Sequence, residues 1–230
     1  MRLVECLSPN HDARPDGAGI DMLLLHYTGM PTADEALARL CDPEAKVSAH
    51  YTIGTDGAVF RHVREERRAW HAGQSFWAGK PRVNDFSVGI ELVNPGHEFG
   101  YVPFTDRQIA ALIELSHGII ERHRIPAARV LGHSDVAPGR KTDPGELFPW
   151  QQLAEAGIGL WPKTKNASAR ASEGVDLSAA LSRFGYGVPP QVDTPLKAVM
   201  TAFQRHFRPS CIDGVADAEC AAILANLPAA

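Results

Sequence analysis

The run Ser87-Val88-Gly89-Ile90-Glu91-Leu92-Val93 constrains this chain more than any other stretch. Strand alternation puts Val88, Ile90 and Leu92 on one face and Gly89, Glu91 and Val93 on the other. A carboxylate in the middle of an otherwise apolar strand is rarely placed without a partner, and the neighbouring glycine leaves space in front of it. The plain alternative is a glutamate on a solvated strand face. Two more short apolar runs end in polar chemistry. Met22-Leu23-Leu24-Leu25-His26-Tyr27 reads as a buried strand that delivers His26 to a sheet edge before Gly29 and Pro31 break it. Val130-Leu131 leads into a Gly/Pro-punctuated loop, residues 132–145, that carries His133, Lys141 and Asp143.

Helical patterns lie between these strands. Thr32 with Glu35 three residues on is an N-terminal cap, and Ala36, Leu37 and Leu40 follow at helical spacing, so a short helix runs to about Leu40. Residues 47–53 and 58–63 flank Gly54-Thr55-Asp56-Gly57 as a hairpin. Thr105-Asp106-Arg107-Gln108 caps a long helix that ends near His123. Residues 1–21 read as an irregular lead-in, and residues 64–85 as a long loop in which Trp70 and Trp77 either wall a groove or cap the core. The fold class is therefore α/β: a mixed central β-sheet flanked by helices. Residues 1–162 form this unit, and 163–174 are small and polar like a linker. Residues 175–230 hold three amphipathic stretches, the second with Thr194 as N-cap and Pro195 at its first position, and make a small C-terminal three-helix bundle.

Composition narrows the function classes. With 44% hydrophobic and 22% charged residues the chain can bury a substantial core, and a net charge of -4 without a long basic run disfavours nucleic acid and membrane surfaces. No stretch approaches the roughly 18 apolar residues of a membrane span, and residues 1–10 lack the basic and apolar regions of a signal peptide. Cys6, Cys41, Cys211 and Cys220 form no CxxC pair and read as small, mostly reduced core residues; a Cys211–Cys220 disulfide requires an oxidising compartment.

His26, His133 and Asp143 are a candidate zinc set, since a catalytic zinc takes three protein ligands and keeps one position open. Such a metal brings the pKa of bound water to about 7 and polarises a carbonyl. Glu91 is then the candidate base and acid, and Lys141 the charge that steadies a tetrahedral oxygen. Together they describe metal-assisted hydrolysis of an amide, although Lys141 taken alone reads equally as a solvated loop lysine.

Leu25-His26-Tyr27-Thr28, Val47-Ser48-Ala49-His50-Tyr51, Ala69-Trp70-His71-Ala72-Gly73, residues 84–92 and residues 132–145 resemble the successive motifs of type-2 N-acetylmuramoyl-L-alanine amidases, the AmpD/AmiD-like zinc amidases related to peptidoglycan recognition proteins. The resemblance implies cleavage of the amide between N-acetylmuramic acid and L-alanine of the peptidoglycan stem peptide. It places the zinc ligands on His26, His133 and Asp143, the catalytic glutamate on Glu91 and the assisting lysine on Lys141. Some phage-type relatives carry a tyrosine where this chain has Ala49 and lack the glutamate, so the chain sides with the glutamate-using branch. By motif position Trp70, His71, Arg82 and Asn84 line the groove for sugar and peptide, with Arg82 either a partner for a stem-peptide carboxylate or a surface charge. Residues 202–208 and 213–217 are similar to the three-helix peptidoglycan-binding module. The expected setting is muropeptide recycling in the cytoplasm, with the periplasm as the alternative if an export segment is missing. Rival readings are a peptidoglycan recognition protein that binds without cleaving and a zinc peptidase that cuts within the stem peptide.

Overall fold

The computed structural model describes residues 3–162 and 176–229; the expected linker, 163–174, lies outside the described residues. Strands β1 (Leu3–Glu5), β2 (His11–Ala13) and β3 (Met22–Tyr27) are followed by helix α1 (Ala33–Cys41) and the hairpin of β4 (Tyr51–Ile53) and β5 (Val59–Arg61). Next come β6 (Arg67–Ala69), β7 (Phe76–Trp77), β8 (Lys80–Pro81) and β9 (Ser87–Leu92). Helices α2 (Gly96–Phe99) and α3 (Asp106–His123), strand β10 (Val130–Gly132), and helices α4 (His133–Val136) and α5 (Trp150–Glu155) complete the first unit. The second consists of α6 (Leu177–Phe184), α7 (Leu196–Phe207) and α8 (Ala218–Ala225).

Six strands make one mixed sheet in the order β1-β5-β4-β9-β3-β10. β3 runs parallel to both β9 and β10, whereas β4 and β5 are antiparallel, so the sheet is of mixed direction, as expected. The pleat sorts its side chains. Leu23, Leu25, Val88, Ile90 and Leu92 share one core with Ile109, Leu112 and Ile119 of α3. That helix is fixed at its start by the expected capping box: Thr105 Oγ1 accepts from the Gln108 N–H at 3.1 Å, and Gln108 Oε1 accepts from the Thr105 N–H at 3.1 Å. The opposite face carries Met22 and Leu24, which join Leu181, Phe184, Phe203 and Phe207 of the C-terminal helices in a second core. Burying each such side chain contributes roughly 1.5–3 kcal/mol. The three helices therefore share a core with the sheet. They cover the part of this face near Met22 and Leu24, and His26 comes next on the same face along β3.

Several local readings change. The lead-in is structured: β1 pairs with β5, β2 pairs with β6, and the Arg14 guanidinium donates to the carbonyls of Glu65, Asn84, Asp85 and Ser87. Its strands are only three residues long, too short to show a period. The segment 64–85 is likewise organised, by β6 and the β7–β8 hairpin. Its two tryptophans divide the two readings between them: Trp70 lines a cavity, while Trp77 is fully buried and packs edge-on against Phe184 and Tyr186. His26 stands one residue before the end of the buried strand β3, which is an inner strand between β9 and β10. The N-cap of α7 is Pro195 rather than Thr194. Cys211 is exposed rather than a core residue.

Candidate metal centre

Strand register brings the site together. His26 on β3 is paired with Glu91 on β9, and Leu25 with Gly132 on β10, so His133 follows directly beside His26. The loop after β10 then curls back, with the Ser134 N–H donating to the Asp143 carbonyl at 2.9 Å. This returns Asp143 to His133 although ten positions separate them. Gly132 permits the approach, since a Cβ there would meet Pro144 at 2.7 Å. The outcome is a buried triad. His26 Nδ1 lies 3.0 Å from His133 Nδ1 and 2.9 Å from Asp143 Oδ2, and His133 Nδ1 lies 3.1 Å from the same oxygen.

The outer nitrogens fix which way the inner ones face. His133 Nε2–H donates to the Ala72 carbonyl at 3.0 Å. A second chain runs from His26 Nε2–H to His71 Nδ1 at 3.1 Å, from His71 Nε2–H to Ser87 Oγ at 3.3 Å, and from the Ser87 hydroxyl to the Val83 carbonyl at 2.8 Å. With these tautomers, assigned from the hydrogen-bond network, both Nδ1 lone pairs and a carboxylate oxygen point into one small space without a proton between them. Three converging acceptors in one small space are a donor set that a cation would satisfy. Their separations are close to the roughly 3.3 Å edge of a tetrahedron with zinc–nitrogen bonds near 2.05 Å, and the fixed outer nitrogens are the usual support of metal-binding histidines. Burial depresses the His26 pKa to about 4, helped by His133 and opposed by Asp143, so this ring is neutral at pH 7. Burial alone would raise the Asp143 carboxyl, but His133 and His26 hold it well below the usual carboxylate range.

Glu91 and Lys141 face the same cavity, which encloses about 400 Å³ and is also lined by Tyr27, Trp70, His71 and Arg140. Burial pushes the Glu91 carboxyl well up, reinforced by Asp143 and opposed by Lys141; its Oε2 is buried with no hydrogen-bond partner among the described residues. His71 occupies the space in front of Gly89, where a Cβ would come within 2.6 Å of the imidazole. Asn84 serves from behind: its Oδ1 accepts from the backbone N–H groups of His71 (3.2 Å) and Ala72 (2.8 Å). Arg82 lines a separate depression with Pro138 and Pro195, and its exposed guanidinium meets Asp85 at 3.2 Å.

Some contributors had no motif of their own. Arg140 ties the two loops together by donating to the carbonyls of Ala72 (2.6 Å) and Gln74 (2.5 Å). Asp135, two residues after His133, is fully buried; it accepts from the Gly132 N–H (2.7 Å), the Tyr186 hydroxyl (2.5 Å) and His206 Nδ1 (2.7 Å). The His206 ring is stacked on Trp150 at 3.7 Å. The start of the loop that carries His133 and Asp143 is thus anchored on α7 and on the segment between α6 and α7.

A mixed sheet with a buried His-His-Asp donor set and, on the neighbouring strand, a carboxylate whose Oε2 has no partner among the described residues is the arrangement of a metal-dependent hydrolase. The N-acetylmuramoyl-L-alanine amidase family profile matches residues 16–146. The chain is 42% identical over 226 residues to the N-acetylmuramoyl-L-alanine amidase AmiD of Escherichia coli, covering 89% of this chain and 80% of that protein. It is 36% identical over 163 residues to the 1,6-anhydro-N-acetylmuramyl-L-alanine amidase AmpD of Enterobacter cloacae, covering 64% of this chain and 85% of that one. The structure of E. coli AmiD with the substrate anhydro-N-acetylmuramic acid-L-Ala-D-gamma-Glu-L-Lys superposes with a TM-score of 0.82 at 41% identity, covering 93% of this chain and 91% of that one. The chain belongs to the N-acetylmuramoyl-L-alanine amidase family.

Proposed function

We propose that the chain is a zinc-dependent amidase that hydrolyses the bond between (anhydro-)N-acetylmuramic acid and L-alanine of the stem peptide. The observation that carries this reading is the pairing of His26 with Glu91 across β3 and β9, which sets a titratable carboxylate beside the donor triad. The ligand in the E. coli AmiD complex, an anhydro-muramoyl peptide, supports the substrate class.

His26, His133 and Asp143 would hold the zinc, which when bound polarises the scissile carbonyl and makes water acidic enough to react near neutral pH. Glu91, whose proton affinity burial has raised, takes a proton from the attacking water and delivers it to the departing alanine amine. Lys141 supplies positive charge for the tetrahedral oxyanion, where losing one such donor typically costs roughly 3 kcal/mol. Trp70 offers a flat apolar wall for the sugar ring, and His71, held by Asn84, fixes the orientation of His26. The catalytic unit is taken as residues 1–162 and the peptidoglycan-binding-like bundle as 175–230. The setting is muropeptide recycling, with the cytoplasm as the compartment and the periplasm as the alternative that cell fractionation decides.

Mass spectrometry of products tests the reading. Zinc-loaded protein should release the free peptide from a 1,6-anhydro-muramoyl tripeptide, and chelator-stripped protein should not. Binding without release would place the chain with non-catalytic recognition proteins, and cleavage within the peptide would make it a peptidase.

A further inference from the structure

Away from the metal centre, the residue that follows β1 and the last residue of α1 meet. Cys6 Sγ and Cys41 Sγ are 3.4 Å apart, both thiols are half-buried, and 35 positions separate them in the chain. The surroundings hold them there. The Cys6 N–H donates to the Arg61 carbonyl at 3.0 Å, and the Cys41 thiol donates to the Cys6 carbonyl at 3.4 Å. Beneath them, buried His62 donates its Nδ1–H to the same carbonyl at 2.7 Å, and its Nε2 meets Thr52 Oγ1 at 2.9 Å. His62 Nδ1 is 3.7 Å from Cys41 Sγ, and the three side chains have the composition of a metal site. The short contact to the carbonyl argues otherwise: Nδ1, the ring nitrogen nearest Cys41, spends its proton on that carbonyl and has no lone pair for a shared metal, so only the two thiols are left to react.

We propose that Cys6 and Cys41 are a dithiol that closes to an intramolecular disulfide and staples the N-terminal segment to the end of α1. The oxidant is a small-molecule disulfide such as oxidised glutathione. The Cys6 thiolate attacks one of its sulfurs, forming a mixed disulfide and releasing one thiol. The Cys41 thiolate then attacks Cys6 Sγ, forming the protein disulfide and releasing the second thiol. Two protons and two electrons pass from the protein to the oxidant. Cys6 leads because the Cys41 thiol keeps its proton on the Cys6 carbonyl, to which it donates at 3.4 Å.

The bond would reinforce contacts already in place. Ser8 Oγ donates to the Leu40 carbonyl at 2.5 Å, and Asn10 Nδ2 donates to the carbonyls of Asp42 (2.7 Å) and Val47 (2.9 Å). Leu40, Arg39 and Ala36 of α1 form one wall of the metal cavity. The staple therefore fixes that wall to the edge of the sheet.

The test uses the full zinc-loaded chain with exposed Cys211 changed to serine, so that its thiol does not report. After incubation with oxidised glutathione, intact mass should fall by two hydrogens, and a non-reducing peptide map should show Cys6 joined to Cys41. The melting temperature should rise by about 5–10 °C, reversibly with dithiothreitol. Adding Cys41→Ser should abolish the mass loss and the rise. If that variant does not fold, the peptide map of the Cys211→Ser protein decides alone. Glutathione adducts that never resolve, thiols that stay reduced, or protection of both cysteines from alkylation by a second equivalent of zinc would each overturn the proposal.

Discussion

Asp135→Ala isolates what the C-terminal helices do for the metal loop. The carboxylate is fully buried and accepts three hydrogen bonds, from Gly132, Tyr186 and His206, at 2.5–2.7 Å. Truncation leaves three buried donors, each costing about 1–3 kcal/mol when unpaired. Because the loosened site admits some water and the terms overlap, we expect a loss of about 3–5 kcal/mol. Tyr186→Phe removes one donor and leaves the carboxylate two partners, so it should cost only about 1–2 kcal/mol. The position of the network gives the second expectation. Gly132 and Asp135 flank His133, so loosening them should lower zinc affinity as well as global stability. Urea unfolding of zinc-loaded and chelated protein, with zinc affinity measured by competition with a chromophoric chelator, separates the two. A cost below about 1 kcal/mol would refute the hydrogen-bond argument. A full loss of stability with unchanged zinc affinity would show that the network only attaches the bundle.

Glu91→Gln should retain stoichiometric zinc while turnover of an anhydro-muramoyl peptide falls by about 10²–10⁴-fold; near wild-type turnover would remove Glu91 from the chemistry. Lys141→Ala should lower kcat by roughly 10²-fold or more. Arg82→Ala should change kcat/KM less than about twofold, as a side chain outside the metal cavity would. A tenfold loss would put Arg82 in contact with substrate. His50 gives a pH dependence: its Nδ1 accepts from the Gly89 N–H at 2.9 Å, and burial, with Arg14 nearby, depresses its pKa from 6.5 to about 3. The unfolded chain then binds the extra proton between pH 6.5 and about 3, so stability is lost as pH falls through that window. The slope from this residue approaches about 1.4 kcal/mol per pH unit, and His50→Asn should remove it. An unchanged slope in acid titration of the variant would show that His50 is not the group responsible.

How much of the site could be read from sequence depended on whether a residue's partner lay within its own local pattern. Alternation placed Glu91 opposite the apolar face of its strand, and Val88, Ile90 and Leu92 do share the α3 core. Each zinc candidate closes or follows a short apolar run or sits in one loop, so residue type and position were enough to nominate it. The register that pairs His26 with Glu91, and Leu25 with Gly132, was not legible, because it is set by packing on both sheet faces. The loop 132–145 shows this most sharply. It holds two aspartates, both buried and both within hydrogen-bond reach of a histidine. Asp143 meets His133 within its own loop, whereas Asp135 turns to Tyr186 and His206, 51 and 71 positions away. The docking of α7 against α4 therefore holds Asp135 on His206, away from the His26–His133 pair. Trp77 lies under the same bundle, edge-on to Phe184 and Tyr186, while Trp70 lines the cavity. The C-terminal segment thus completes the setting of this loop, since without Tyr186 and His206 the Asp135 carboxylate would be left buried beside the candidate metal ligands with one hydrogen bond in place of three.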